Sequence, residues 1–221
     1  MLKVEELSAS YGAVQAVRRV SFHVAAGEVL AVAGPNGAGK STLANVLAGL
    51  HRSRSGRIDL AGTDLSSARA TQTSRAGVTL VPQGRRVFGS CTVAEHVDLA
   101  ESRARAGALR IEQVLTHFPR LHDRWTVRAR QLSGGEQQML AITRAVLLGP
   151  RVLILDEPTE GLAPAIVTAV AGLVRDLREQ GVAVVLMEQP GPFVDTLADR
   201  TVTMDRGLVS DSVHAHEGEW S

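Results

Sequence analysis

Apolar and polar residues alternate in "LKVEELS" and again in "VRRVSFHV" near the start of the chain. That period of two predicts half-buried antiparallel strands. "EVLAVAG" is instead a short unbroken apolar run ending in glycine, as expected of a buried central strand. From Lys40 the period changes: Leu43, Val46, Leu47 and Leu50 fall on one face of a helix. "GVTLVPQ", "RVLILDE" and "GVAVVLME" read as further buried strands, and Pro164 to Gln180 as a helix. Strands alternating with helices imply a parallel sheet with crossover helices. Residues from about 90 to 148 break this rhythm with helices of polar face and no strand. They are expected to form a helical subdomain inserted between two strand-forming halves. The fold class is therefore α/β, with a mixed or parallel sheet core, an antiparallel β subdomain at the front and a helical insertion.

The 221 residues are 44% apolar and 21% charged, ordinary values for a globular protein. The net charge of +1 and the 3% aromatic content speak against a nucleic-acid partner. One cysteine, Cys91, excludes an intrachain disulfide and a cysteine metal cluster. No run approaches the length a membrane helix needs, and the N-terminus carries charges too early for a secretory signal. The expectation is a soluble cytoplasmic protein. Histidines 51, 96, 117, 122, 214 and 216 show no metal-ligand spacing, and the tail carrying His214 and His216 reads as a frayed surface segment.

"GPNGAGKST", from Gly34 to Thr42, has the spacing G-x-x-x-x-G-K-[ST] between a strand and a helix. The glycines Gly34, Gly37 and Gly39 let backbone N–H groups turn toward one point, with Pro35, Asn36 and Ala38 completing the loop. The helix N-terminus adds partial positive charge there. Lys40 is placed to reach the β- and γ-phosphates of a nucleotide, and the Ser41 hydroxyl to ligate Mg²⁺. The chain is thus read as a P-loop NTPase. At the end of "RVLILDEP", Asp156 is placed to hold Mg²⁺ through water and Glu157 to polarise an attacking water.

A second phosphate-gripping helix start lies about ninety residues further on. In "LSGGEQQ", Ser133 and Glu136 form a capping box, and Gly134 and Gly135 leave the N–H groups open. This stretch resembles the signature motif of the ATP-binding-cassette (ABC) ATPases. The phosphate loop, Gln83, the signature, Asp156–Glu157 and the turn at 160–163 follow that family's order over nearly the whole chain. The resemblance implies a single nucleotide-binding domain over 1–221, with ATP and Mg²⁺ as its ligands. It implies a second cassette, the same or different, paired head to tail, so that Ser133–Glu136 close over the partner's nucleotide. Tyr11 would stack on adenine, and Gln83 would contact Mg²⁺ and the attacking water.

Two positions depart from the family. Gln189 stands where a histidine usually reaches the γ-phosphate; its amide donates a hydrogen bond but carries no proton. Ala163 stands where aspartate is commonest. "GLAP", the "EQ" of Glu188–Gln189, "GRRVF" and "FPRL" together resemble the branched-chain amino-acid importer branch. Cassettes of urea or short-amide importers are similar. The implied function is the ATP-hydrolysing subunit of such an importer, held at the inner face of the cell membrane by permease subunits. The competing readings are a soluble non-transport ABC ATPase and a nucleotide sensor without turnover. Arginines at 85, 86, 103, 105, 110, 120, 124, 128 and 130 form either a solvated face or a permease-docking surface.

Overall fold

The computed structural model describes residues 1–53 and 55–212; the His214–His216 tail lies outside them. The chain opens with β1 (Leu2–Tyr11) and β2 (Val14–Val24), paired antiparallel. β3 (Val29–Ala33) follows, then α1 (Lys40–Leu47), β4 (Ser55–Leu60) and β5 (Thr63–Asp64). β4 pairs antiparallel with the other edge of β1, so the first sheet runs β2-β1-β4-β5. α2 (Ala70–Ala76) leads into β6 (Val78–Val81).

Helices then take over: α3 (Val93–Glu101), α4 (Ile111–His117), α5 (Pro119–Asp123), a 3₁₀ turn at Ala129–Gln131 and α6 (Gly134–Leu147). α3 starts where Thr92 and Glu95 make a capping box. The rest alternates: β7 (Val152–Asp156), α7 (Pro164–Glu179), β8 (Ala183–Glu188), α8 (Pro192–Leu197), β9 (Arg200–Asp205) and β10 (Leu208–Ser212). The second sheet runs β10-β9-β3-β8-β7-β6. Its pairs are parallel except for β10, which folds back antiparallel on β9.

The second sheet separates two cores, as its period-two pattern requires. Leu30, Val32, Ile154 and Val185 face the first sheet and Leu43 and Leu47 of α1. Their neighbours Ala31, Leu153, Leu155, Val184 and Leu186 face the opposite side, against Leu140 and Ile142 of α6 and Leu173 of α7. Each fully buried Leu or Ile contributes about 1.5–3 kcal/mol through area removed from water. Register then aligns the strand ends. Ala33 of β3 lies beside Glu188 of β8, and Met187 of β8 beside Asp156 of β7. Three neighbouring strands thus deliver the phosphate loop, the acidic pair and Gln189 to one carboxyl edge, where parallel sheets bind ligands.

Candidate nucleotide site

The phosphate loop leaves β3 and is pinned to the next strand by Gly34 N–H, which donates to the Glu188 carbonyl at 3.1 Å. Gly39 ends the loop with φ 109°, a left-handed conformation that glycine adopts without penalty. A Cβ there would also collide with the Ala16 carbonyl. As the N-cap of α1, Gly39 offers no side chain, so no side-chain cap covers the first N–H groups. A cleft of about 360 Å³ opens over this helix start. It is lined by Asn36, Gly37, Gly39, Lys40, Gln83 and Glu157, among others.

Lys40 is buried. Its Nζ donates to the carbonyls of Gly34 at 2.7 Å and Pro35 at 3.1 Å, and pairs with Glu157 Oε1 at 3.2 Å. The Ser41 hydroxyl donates to Asp156 Oδ1 at 3.2 Å. Burial pushes the Asp156 carboxyl above its usual range, and the charge of Glu157 adds to this. The Ser41 hydroxyl, the Gln83 backbone N–H and Lys40 pull the other way. Glu157 is held at φ 48°, uncommon for a residue with a side chain, while its N–H donates to the Met187 carbonyl at 2.8 Å.

Gln83 reaches the same place from the loop after β6. Its amide Nε2 donates to Glu157 Oε2 at 2.8 Å and Glu160 Oε2 at 2.9 Å. The amide oxygen thereby remains the group available to a cation. Gln189 reaches the phosphate loop, its Nε2 donating to Asn36 Oδ1 at 3.3 Å. The structure thus brings Lys40, Ser41, Gln83, Asp156 and Glu157 together and joins Gln189 to their edge.

Tyr11 and the signature stand apart from this cleft. Tyr11 is half-exposed and stacked on His51, ring centroids 4.2 Å apart. At the signature, Ser133 N–H donates to Glu136 Oε2 at 2.7 Å, and Glu136 N–H donates to Ser133 Oγ at 3.3 Å. Burial works to raise the Glu136 carboxyl, but the Ser133 bonds and Arg124 outweigh it and hold it below its usual range. A Cβ at Gly135 would meet the Cδ1 end of Ile166 of α7, which would have to turn aside. Ala163 forms the N-cap of α7 without a side-chain hydrogen bond, where an aspartate would supply one.

Two residues at the site were given no role in the sequence reading. Glu160 is a second acceptor for Gln83. Glu188 is buried; it accepts from the Thr159 hydroxyl and from the Gln189 N–H at 3.0 Å, tying the turn after β7 to the end of β8. Only its place beside Gln189 in "EQ" pointed to it. A larger groove, about 570 Å³, lies away from the acidic pair, between β6 and the helices α3 and α6. Arg86, Phe88, Leu99, Arg103, Arg105 and Arg144 are among its lining residues.

The family model for the ABC transporter matches residues 17–160, more than half of the chain. The chain is 40% identical over 211 residues to the high-affinity branched-chain amino acid transport ATP-binding protein BraG of Pseudomonas aeruginosa, covering 95% of this chain and 91% of that one. It is 31% identical to the arginine transport ATP-binding protein ArtM of Bacillus subtilis, covering 98% and 92%. Among solved structures, an ATP-binding subunit of an ABC transporter superposes with a TM-score of 0.82 at 30% identity, covering 95% of this chain and 88% of that one. An ABC cassette in its ADP conformation gives 0.81 at 25% identity, covering 95% and 89%. With phosphate loop, acidic pair and capped signature helix in that family's order on that family's fold, the chain belongs to the ABC transporter family, as an ATP-binding and ATP-hydrolysing subunit.

Proposed function

We propose that this ATPase powers an importer of branched-chain amino acids. The likeness to BraG over nearly the full length supports the substrate class. "GLAP" and "EQ" in the chain point the same way.

The observation that carries the chemistry is the buried Lys40–Glu157 pair, joined by the exposed Gln83 amide, beside Asp156 and Ser41. In this reading the γ-phosphate displaces Glu157 from Lys40, because its multiply charged oxygens accept both from the ammonium and from the open N–H groups of α1. Glu157, freed and still oriented by Gln83, then polarises a water aligned with the γ-phosphate. Gln189 donates its amide to that phosphate from the opposite side. The oxygen donors Ser41, Asp156 and Gln83 suit Mg²⁺, a hard cation that takes phosphate oxygens and waters for the rest of its shell. Such a cation would neutralise charge on the β- and γ-phosphates. It would also oppose the burial that raises the Asp156 carboxyl, by favouring the ionised form.

The signature lies outside the phosphate cleft, so Ser133, Gly134, Gly135 and Glu136 serve a nucleotide on a second cassette. ATP then joins two surfaces and its hydrolysis loosens them, a cycle driven by differential affinity for two states. Tyr11 supplies the adenine-stacking ring. No helix among the described residues is long and apolar enough to cross a membrane. Membrane attachment then falls to permease loops, for which the arginine-lined groove beside α3 and α6 is the fitting surface.

The test is ATP hydrolysis by the native chain and by Glu157→Gln. The variant should lose about two to four orders of magnitude in turnover while still binding ATP. Equal rates would end this assignment of the base.

A further inference from the structure

We propose that Arg85 is a nucleotide-contacting residue of the shared site, its guanidinium gripping the γ-phosphate of ATP bound on the opposing cassette together with the N-terminus of α6. The proposal rests on the head-to-tail reading above and adds a residue to it.

Three observations carry it. The first is position. A Cβ on Gly134 would run into the Arg85 guanidinium, with Cζ only 2.7 Å away, and a Cβ on Gly161 would lie 3.5 Å from Nη2. The guanidinium therefore lies between the first residue of α6 and the turn after the acidic pair. The lack of a side chain at Gly134 is what makes room for it. The second is backbone. Gly84 has φ 91° and Arg85 has φ 52°, two successive left-handed residues. For an arginine this conformation is costly, and such strain collects where a side chain must be aimed. The third is charge. Among the described residues no carboxylate pairs with the Arg85 side chain. Glu136 accepts from Arg124 and Glu160 from Gln83.

A cation placed beside a helix N-terminus is repelled by the positive end of the helix dipole. The arrangement becomes favourable once an anion enters between them. Guanidinium presents planar, paired N–H donors that match phosphate oxygens, and unlike an ammonium it grips two at once. The Ser133–Glu136 capping box supplies no net positive charge to the signature. Arg85 does, and it travels with α6 as one surface. It lies two residues after Gln83, so the loop that touches Glu157 in one cassette also carries the cation for the other cassette's nucleotide.

The experiment uses the full chain carrying Glu157→Gln, so that ATP is retained. Sedimentation velocity measures the ATP concentration for half-maximal cassette pairing, with the chain itself and with any cassette that co-purifies. Adding Arg85→Gln should raise that concentration about tenfold, and Arg85→Lys should recover part of the loss. Binding of a fluorescent ATP analogue to the unpaired cassette, and the Tm, should stay unchanged. An unchanged pairing midpoint in Arg85→Gln would overturn the proposal. So would an equal loss of binding to the unpaired cassette, which would put Arg85 on its own nucleotide. If the parent does not pair with ATP at all, the shared-site reading fails and Arg85 with it.

Discussion

α1 and α6 both begin beside glycine, yet their first turns differ. At α1 the N-cap is Gly39, no side chain covers the N–H groups, and the adjoining Lys40 is buried. At α6 the Ser133–Glu136 box satisfies the Ser133 and Glu136 N–H groups, and the Arg85 guanidinium from another loop lies against Gly134. An uncapped start held rigid by its surroundings keeps its donors for a ligand. A self-capped start is stable without one and contributes weakly until a second surface brings the anion. On the proposed reading the comparison separates two tasks: the first grip would set affinity for ATP, and the second would set whether that ATP can hold two cassettes together.

Lys40→Ala strikes the first grip and should have the largest effect. ATP affinity by titration calorimetry should fall at least about 100-fold, since hydrogen bonds from a cation to phosphate are among the strong ones. Unchanged affinity would erase the distinction between the helices. Ser133→Ala strikes the second grip. Losing the cap should cost about 1 kcal/mol, a Tm drop of about 2–4 °C for a chain of this size. ATP binding to the unpaired cassette should stay the same while ATP-driven pairing weakens. A loss of monomer binding instead would show that both helices serve one nucleotide. Gln189→His should matter least. It trades one hydrogen-bond donor for another beside Asn36, and turnover should stay within about threefold or rise. A collapse would show that the edge near the phosphate loop is shaped around the amide.

The elements proposed to bind phosphate were the most legible in the sequence, because such chemistry demands glycine, lysine and a paired acid at fixed spacing. The strands that carry them are continuous apolar runs for the same reason: both faces are buried. The run of helices from Val93 to Leu147 was visible as a loss of strand signal over about 90 to 148. α2 was not read, since its "ATQTSRA" buries only Thr73 and shows no apolar stripe. β9 and β10 were also missed. "RTVTMD" buries Val202 and Met204 alone, and the hairpin turns through Arg206 and Gly207, both at positive φ. Arg85 was legible as one member of an arginine cluster and as part of "GRRVF", with no role of its own. Its meaning comes from α6 and the turn at Gly161, about fifty and seventy-five residues away, which no local pattern connects to it.

The contact between Lys40 and Glu157 has a consequence for how the chain comes into being. A buried ammonium or carboxylate left without its counterpart costs several kcal/mol. Here each neutralises the other inside the fold. Folding therefore buries this lysine and this glutamate as a pair, and removing either alone would leave the other's charge uncompensated.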